Sequence, residues 1–345
     1  MKAWLLDQPG RADRLRLADV ADPVPAAGEV LLEVQFAAPN PADWYLAQGQ
    51  YPAHPPLPHV LGRDGFGTVI AMGPGVTGVR IGESRLILRG EVGVSRWGTF
   101  AQKVTVPVES LVELPAGWTA QQAAGATLVY LTAYQALTQW GERPPSVVLI
   151  SGASGGVGVA GIQLGAAMGH TVLALSRGVS KRQALLAIGA AAIFDPNEPA
   201  WQKQAREFLK GRRVDLAIDN IGGPLFPQML ETLGEWGKIS VVGRLGGPVP
   251  EFNTAALLFR RLRVGGVAVG SYTNSQSRQA WQAILALLNS SGAKPIVDQV
   301  FPFDQLPAAF ARLAQGPIGK VLIDMEEEFT AETQRRKESP HVGPF

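Results

Sequence analysis

Val147 to Arg177 reads VVLISGASGGVGVAGIQLGAAMGHTVLALSR. An apolar run, Val147–Ile150, stops at a glycine-rich turn; small residues follow, then a second apolar run, Thr171–Leu175. Strand, tight turn, helix and strand within about thirty residues form a βαβ unit. Gly156, Gly158 and Gly161 satisfy G-x-G-x-x-G. Glycines let the backbone turn sharply and come close to a pyrophosphate, while the helix start offers free N–H donors and the positive end of its dipole. The motif gains weight from its context, since it follows a predicted strand and opens a predicted helix.

Two other patterns share these letters. Gly152-Ala153-Ser154-Gly155-Gly156 fits the nucleophile elbow of hydrolases, which needs a later histidine. Only His170, inside the same unit, and His341, in a polar tail, follow Ser154. The turn also resembles that of short-chain dehydrogenases, which carry it near the start of the chain with a Tyr-x-x-x-Lys pair. Here about 145 residues precede it, and no Tyr-x-x-x-Lys exists.

The end of the second strand selects the cofactor. An NAD site wants an acid about twenty residues past the turn, to hold the ribose hydroxyls. Ser176, Arg177 and then Lys181 stand there, and no acid occurs between Gly158 and Asp195. A hydroxyl and two cations suit the 2′-phosphate of NADPH, which Arg grips as a fork and Lys as a point charge.

At 345 residues, two domains are expected. Hydrophobic residues at 46% and charged ones at 17% allow sizeable cores, and a net charge of +2 gives no footprint for nucleic acid or membrane. The absence of cysteine excludes disulfides, thiol catalysis and cysteine-based zinc sites. The opening MKAWLLDQPGRAD lacks a signal-peptide core, so a soluble cytoplasmic protein is expected.

Residues 1–120 read as a β-rich domain, a partly closed barrel, with strands at Lys2–Leu6, Glu29–Phe36, Arg85–Leu88, Thr99–Val106 and Leu111–Leu114. A short helix starts near Pro41, where Asp43 is placed to cap it. Thr119–Gln139 reads as one helix. Residues 121–270 alternate strands and helices, hence a doubly wound parallel sheet. Residues 271–325 end in strands Ile296–Phe301 and Gly319–Ile323, which have no place in a filled parallel sheet and are expected to rejoin the first domain. Residues 326–345 read as a polar, solvated tail.

Several stretches together carry a family resemblance: Asn40-x-x-Asp43 with Gly49-x-Tyr51-Pro52, Gly62-x-Asp64-x-x-Gly67-x-Val69, Leu131-Thr132-Ala133-Tyr134, the Gly155–Gly158 turn and Gly319-Lys320-Val321-Leu322. From Met1 to about Asp324 the chain resembles the medium-chain dehydrogenase/reductases, in their zinc-free quinone oxidoreductase branch. The resemblance implies an α/β fold, a GroES-like barrel domain plus a Rossmann domain, with NADPH in the cleft between them and a homodimer as the assembly. Zinc-dependent members place a cysteine and a histidine where this chain has Asn40 and Arg63, neither suited to zinc, so no metal site is expected. Asp64 stands for the usual Glu, and its shorter reach leaves an inter-domain ion pair there open; Val129 replaces a common Asn.

The expected activity is hydride transfer to a quinone or an α,β-unsaturated carbonyl, small molecules already electrophilic. The pyrophosphate is expected at Ser154, Gly155, Gly156 and Val157, and the 2′-phosphate at Ser176, Arg177 and Lys181. Asn220, Gly243 and Val267 follow strand ends or a late strand and are expected to line the cofactor. The resemblance adds Thr127 at the carboxamide and Lys320 at the cleft, with Tyr51 and Asn40 as catalytic candidates. A second resemblance, to 2-enoyl thioester reductases, gives Tyr51 the protonation step; that reading needs cations at the groove mouth, for which Arg63 and Arg89 are the candidates. A non-catalytic NADPH-binding protein is the reading from another class.

Overall fold

The computed structural model describes residues 1–10, 15–88, 92–141, 146–248 and 251–326. Arg89 and the tail beyond Glu326 lie outside them.

Val147–Ile150 is buried along its whole length. Val148 and Ile150 pack into one core and Val147 and Leu149 into another, so the strand is covered on both faces. That is the situation of a parallel strand with helices on both sides, and it explains the unbroken apolar run. Six parallel strands lie in the order Ala192–Phe194, Thr171–Leu175, Val147–Ile150, Val214–Asp219, Leu233–Val241, Arg263–Gly266. The order reverses on either side of Val147–Ile150, which puts the switch point of a Rossmann sheet beside the glycine-rich turn. Helices Thr127–Thr138, Gly156–Ala167 and Asn274–Ser291 contribute to one core. Trp201–Phe208 and Leu225–Thr232 contribute to the other.

The GroES-like domain is built on Glu29–Ala38, which pairs with Asp64–Met72, Lys103–Pro107 and Lys320–Asp324. The last of these also pairs in parallel with Val297–Pro302. The C-terminal strands therefore rejoin the first domain, as the lack of room in the parallel sheet requires. A smaller sheet joins Arg16–Asp19, Lys2–Leu6 and His59–Val60.

Some local expectations shift. Thr119–Gln139 is two helices, Ala120–Ala124 and Thr127–Thr138, broken around Gly125. The Lys320 stem runs past that break: a Cβ on residue 125 would lie 3.0–3.1 Å from Lys320 Cγ, Cβ and Cε. The strand expected from Thr99 begins at Lys103; Thr99 N and Phe100 N donate instead to Gly62 O and Leu61 O, and the Thr99 hydroxyl to Asp64 O at 2.8 Å. The last strand of the parallel sheet, which the sequence predicts over Arg263–Gly270, ends at Gly266. Arg16–Asp19, unmarked in the sequence reading, is a strand.

The motif glycines differ in what surrounds them. A Cβ on Gly158 would lie 2.4 Å from Gly152 O and 2.6 Å from the Ala153 backbone, whereas one on Gly161 would meet only Ile150 Cδ1, at 3.1 Å. Backbone cannot yield, but a side-chain methyl can. Gly158→Ala is therefore expected to lower unfolding stability by roughly 1–3 kcal/mol and Gly161→Ala by clearly less, measured by urea titration.

Candidate active site

The carboxyl ends of the parallel strands bring the expected cofactor residues to one edge. Gly155 precedes helix Gly156–Ala167, whose first intrahelical bond here is Val159 N to Gly155 O. Gly155 forms a parallel bridge with Gly319, which turns the Gly156 N–H toward the last barrel strand, while the N–H groups of Val157 and Gly158 have no carbonyl of a preceding helical turn to bond. Ala153 N donates to Leu175 O, and Asn220 donates from N and Nδ2 to Ser151 Oγ and O. Gly243 lies against Asn220 O, and Val267 N donates to Val241 O. Asp219 Oδ1 accepts from Ser151 Oγ, Ile221 N and Gly222 N. Asp219 Oδ2 and Asn220 Oδ1 are buried acceptors with no protein partner.

Lys181 lies closer to the turn than the sequence suggests. Its ammonium donates to Ser154 Oγ at 3.3 Å and to Gly316 O. Burial, then the neighbouring Arg312 and Arg177, hold its pKa below the usual lysine value, with Asp298 opposing. Asp298 itself is engaged by Arg312 at 2.8 Å from both Nε and Nη2. Lys181 is the cation in contact with Ser154, and Arg177 and Arg312 bear on it as neighbouring like charges. Ser176 is buried at the strand end, and Arg177 is exposed. The acid of the next strand end, Asp195, accepts from Gly178 N and Asn197 N.

The remaining expected residues converge on one another. Asp64, fully buried, accepts from Asn40 Nδ2 at 3.0 Å and Lys320 Nζ at 3.2 Å on Oδ2. Its Oδ1 accepts from Leu128 N at 3.2 Å and lies 3.1 Å from Thr127 Oγ1, which also reaches Ile87 O at 2.8 Å. A carboxylate therefore sits at the N-terminus of helix Thr127–Thr138, where the dipole favours it. Lys320 donates as well to Asn40 Oδ1 at 2.6 Å and Pro39 O at 3.3 Å. Asp64 does reach Lys320, but both belong to the barrel, so the ion pair lies within one domain; the contacts that cross to the other domain are those of Asp64 with Thr127 and Leu128.

The protein partners of three expected site residues are thereby defined. Asn40 gives its amide hydrogens to Asp64 and Ala38 O and its oxygen to Lys320, which makes it an anchor of the cleft, not a group free for substrate. The Thr127 hydroxyl, expected at the carboxamide, lies against Asp64 Oδ1 and Ile87 O of the barrel. Lys320, expected at the cleft, lies on an internal strand with its side chain buried, and three protein oxygens take its three hydrogens. Its Cδ would lie 2.9 Å from a Cβ on Gly156, as would Val129 Cγ1.

Tyr51 belongs to a second group. Arg63 Nη1 donates to Tyr51 Oη at 3.0 Å, and the guanidinium carbon lies 4.4 Å from the ring centroid. Arg63 Nε is 3.4 Å from Asp43 Oδ1, an ion pair not aligned as a hydrogen bond. Asp43 Oδ2 accepts Asn40 N at 2.9 Å, the helix-capping role expected of it. Burial pushes the Asp43 carboxyl up to about 6, with Arg63 the main opposing influence. The sequence reading gave Arg63 only a weak place at the groove mouth and missed Arg244. From the loop after Gly243, Arg244 Nη2 crosses to Gln50 O at 3.1 Å and Oε1 at 3.3 Å, and its guanidinium lies 5.3 Å from the Tyr45 ring centre. Its position next to a strand-end glycine was the available signal.

Concavities of about 320 and 440 Å³ open at the opposite end of the parallel sheet, lined by Asp215, Glu235 and Arg263, and by Arg206, Arg213 and Arg260. We give them no part in the site, because ligands of open α/β sheets sit at the carboxyl ends of the strands.

A barrel domain closing on the carboxyl edge of a Rossmann sheet is a dehydrogenase/reductase architecture, and the comparisons agree. Residues 26–116 match the alcohol dehydrogenase GroES-like domain, and residues 156–290 the zinc-binding dehydrogenase domain. A quinone oxidoreductase from Lama guanicoe is 28% identical over 327 residues, 94% of this chain and 97% of that protein. The solved structure of an NAD-dependent alcohol dehydrogenase superimposes with a TM-score of 0.86 at 29% identity, covering 94% of this chain and all of that one. That of mycobacterial Rv1454c complexed with NADPH gives 0.85 at 27%, with the same coverage. The chain belongs to the medium-chain dehydrogenase/reductase superfamily, in its quinone oxidoreductase branch.

Asp64→Asn strands the buried Lys320 ammonium and is expected to cost roughly 3–5 kcal/mol in a denaturant titration. Asp43 predicts a pH signature. Its folded pKa, about 6, lies above the ordinary 3.8, so the native state holds this proton more tightly than the unfolded chain. The stability it contributes is complete below pH 4 and is lost as pH rises through 6. Across that window wild type should lose up to about 1.4 kcal/mol per pH unit relative to Asp43→Asn; parallel curves for the two proteins would contradict the assignment.

Proposed function

We propose that the protein is an NADPH-dependent, zinc-independent reductase that transfers a hydride to a quinone or an α,β-unsaturated carbonyl compound. The observation that carries this reading is the set of groups at the carboxyl edge of the sheet. The start of helix Gly156–Ala167 faces this edge, and the Lys181 ammonium reaches Ser154 Oγ, with Arg177 and Arg312 near enough to lower the Lys181 pKa. No carboxylate ends strand Thr171–Leu175. Ser154, Gly155, Gly156 and Val157 would hold the pyrophosphate, and Ser176, Arg177 and Lys181 the 2′-phosphate. Asn220, Gly243 and Val267 would line the rest of the cofactor, with the unpaired Asn220 Oδ1 awaiting a donor. Bound NADPH supplies the hydride. The quinone oxidoreductase relative and the NADPH complex of a neighbour support the same choice.

The rest of the chemistry falls to this chain. Asp64, held by Asn40 and Lys320 of the barrel, ties that domain to Thr127 and Leu128 of the other, and Tyr51 donates a proton to the reduced substrate. Zinc-independence rests on the donors: Asn40 Oδ1 is occupied by Lys320, and Arg63 brings a fixed positive charge that would repel a metal ion. No helix among the described residues is long and apolar enough to cross a membrane. A homodimer fits the outermost strand, Arg263–Gly266, whose outer edge has no partner among the described residues and beside which Phe259 is 79% exposed.

The test is NADPH oxidation with 1,4-benzoquinone, 1-octen-3-one and crotonyl-CoA in parallel, with NADH as control. Turnover of quinone or enone with NADPH is expected. Arg177→Glu combined with Lys181→Ala should raise the NADPH KM roughly tenfold or more and leave the NADH value nearly unchanged. Preference for crotonyl-CoA would move the protein to thioester reduction, and NADPH binding without turnover would refute catalysis.

A further inference from the structure

The Tyr51–Arg63–Asp43 group is a buried cation with more donors than acceptors. Arg63 has a side chain 12% exposed, and Asp43 is its one ion-pair partner among the described residues. Its Nε and Nη2 are buried without an aligned acceptor. Buried donors left unpaired are costly, and each calls for an explanation. Nη1 donates to Tyr51 Oη, so the phenol uses a lone pair there and keeps its own hydrogen to give away. The guanidinium also lies over the phenol ring, so the cation and the hydroxyl are held as one rigid unit. A fixed positive charge in a site shielded from water stabilises negative charge far better than one in solution.

We propose that Arg63 is the oxyanion holder of the site: anchored by Asp43, it positions Tyr51 and stabilises the negative oxygen formed on substrate or on Tyr51 during reduction of an enone. This rests on the reductase reading with Tyr51 as proton donor. Once the β-carbon has its hydride, the electron pair displaced from the C=C bond resides on an enolate. A bond then forms between the α-carbon and the Tyr51 proton as the O–H bond breaks. The electron pair left on Tyr51 Oη lies against Arg63, and water returns the proton. The substrate class that follows is carbonyl compounds whose reduction passes through an enolate.

The test is binding, by calorimetry, of an enolate and a neutral compound of the same shape: the anion of 1,3-cyclohexanedione and cyclohexanone. It is run with and without NADP⁺. Wild type should hold the anion roughly tenfold or more tighter than the ketone, and Arg63→Gln should abolish that preference while leaving ketone binding in place. A purely structural role would weaken both ligands together. Tyr51→Phe should keep much of the preference but lower kcat with the enone. If removing Arg63 unfolds the protein by stranding Asp43, Arg63→Gln with Asp43→Asn removes both charges and asks the same question. No anion preference in wild type, or a preference that survives Arg63→Gln, overturns the proposal. Enone turnover alongside either result leaves the reductase reading standing. An Arg63-dependent preference with no turnover of any acceptor supports the oxyanion site and sinks that reading instead.

Discussion

Donors from three distant parts of the chain meet on the Asp64 carboxylate. Asn40 comes from the loop before the first helix, Thr127 and Leu128 from the start of the helix that enters the Rossmann domain, and Lys320 from the last strand. Each of these groups is buried and polar, so each depends on the others for its hydrogen bonds. Such a network is stable when complete and costly when one member is lost. It sets how the barrel faces the carboxyl edge of the parallel sheet, and so the shape of the cleft that any substrate enters.

Other ties reinforce this geometry. Gly319 N donates to Ser154 O, which fastens the glycine-rich turn to the start of the last barrel strand. Lys181 reaches Gly316 O beside it, and Arg312 crowds Lys181 from the helix before that strand. The phosphate end of the cleft is therefore a joint product of both domains. At the other end, Arg244 reaches from the Rossmann domain to Gln50 and Tyr45 of the barrel. The cleft is bridged at both ends and pinned in the middle by Asp64.

The sequence made the frame legible. Period, length and glycine placement marked the βαβ unit, and the surplus of late strands required the chain to return to the barrel. The strand-end residues Ser176, Asn220 and Gly243 were readable because open α/β sheets expose their ligands' neighbours at that edge. The centre of the cleft was not readable. Asn40 and Lys320 are 280 positions apart, and a polar side chain aimed at a ligand has the same letter as one aimed at another side chain. Gly125 gave a hint that was missed: a glycine inside a helical stretch signals either a break or a close approach, and here it is both. Arg63 was legible only as a candidate cation at the groove mouth, because arginines are seldom buried, and only the fold shows Asp43 and Tyr51 around it.

Gly156 belongs to the fingerprint usually taken as the mark of a bound dinucleotide. In this protein it has a second obligation, since any side chain there would run into Lys320 Cδ and Val129 Cγ1. The residue is required by the packing of one domain's lysine against the other's helix, whether or not a phosphate ever arrives. A descendant of this chain that had abandoned the cofactor would still be bound to keep that glycine for as long as Lys320 threaded beneath it. Persistence of the motif in such a lineage would record the mechanical history of the domain junction and say nothing of its chemistry.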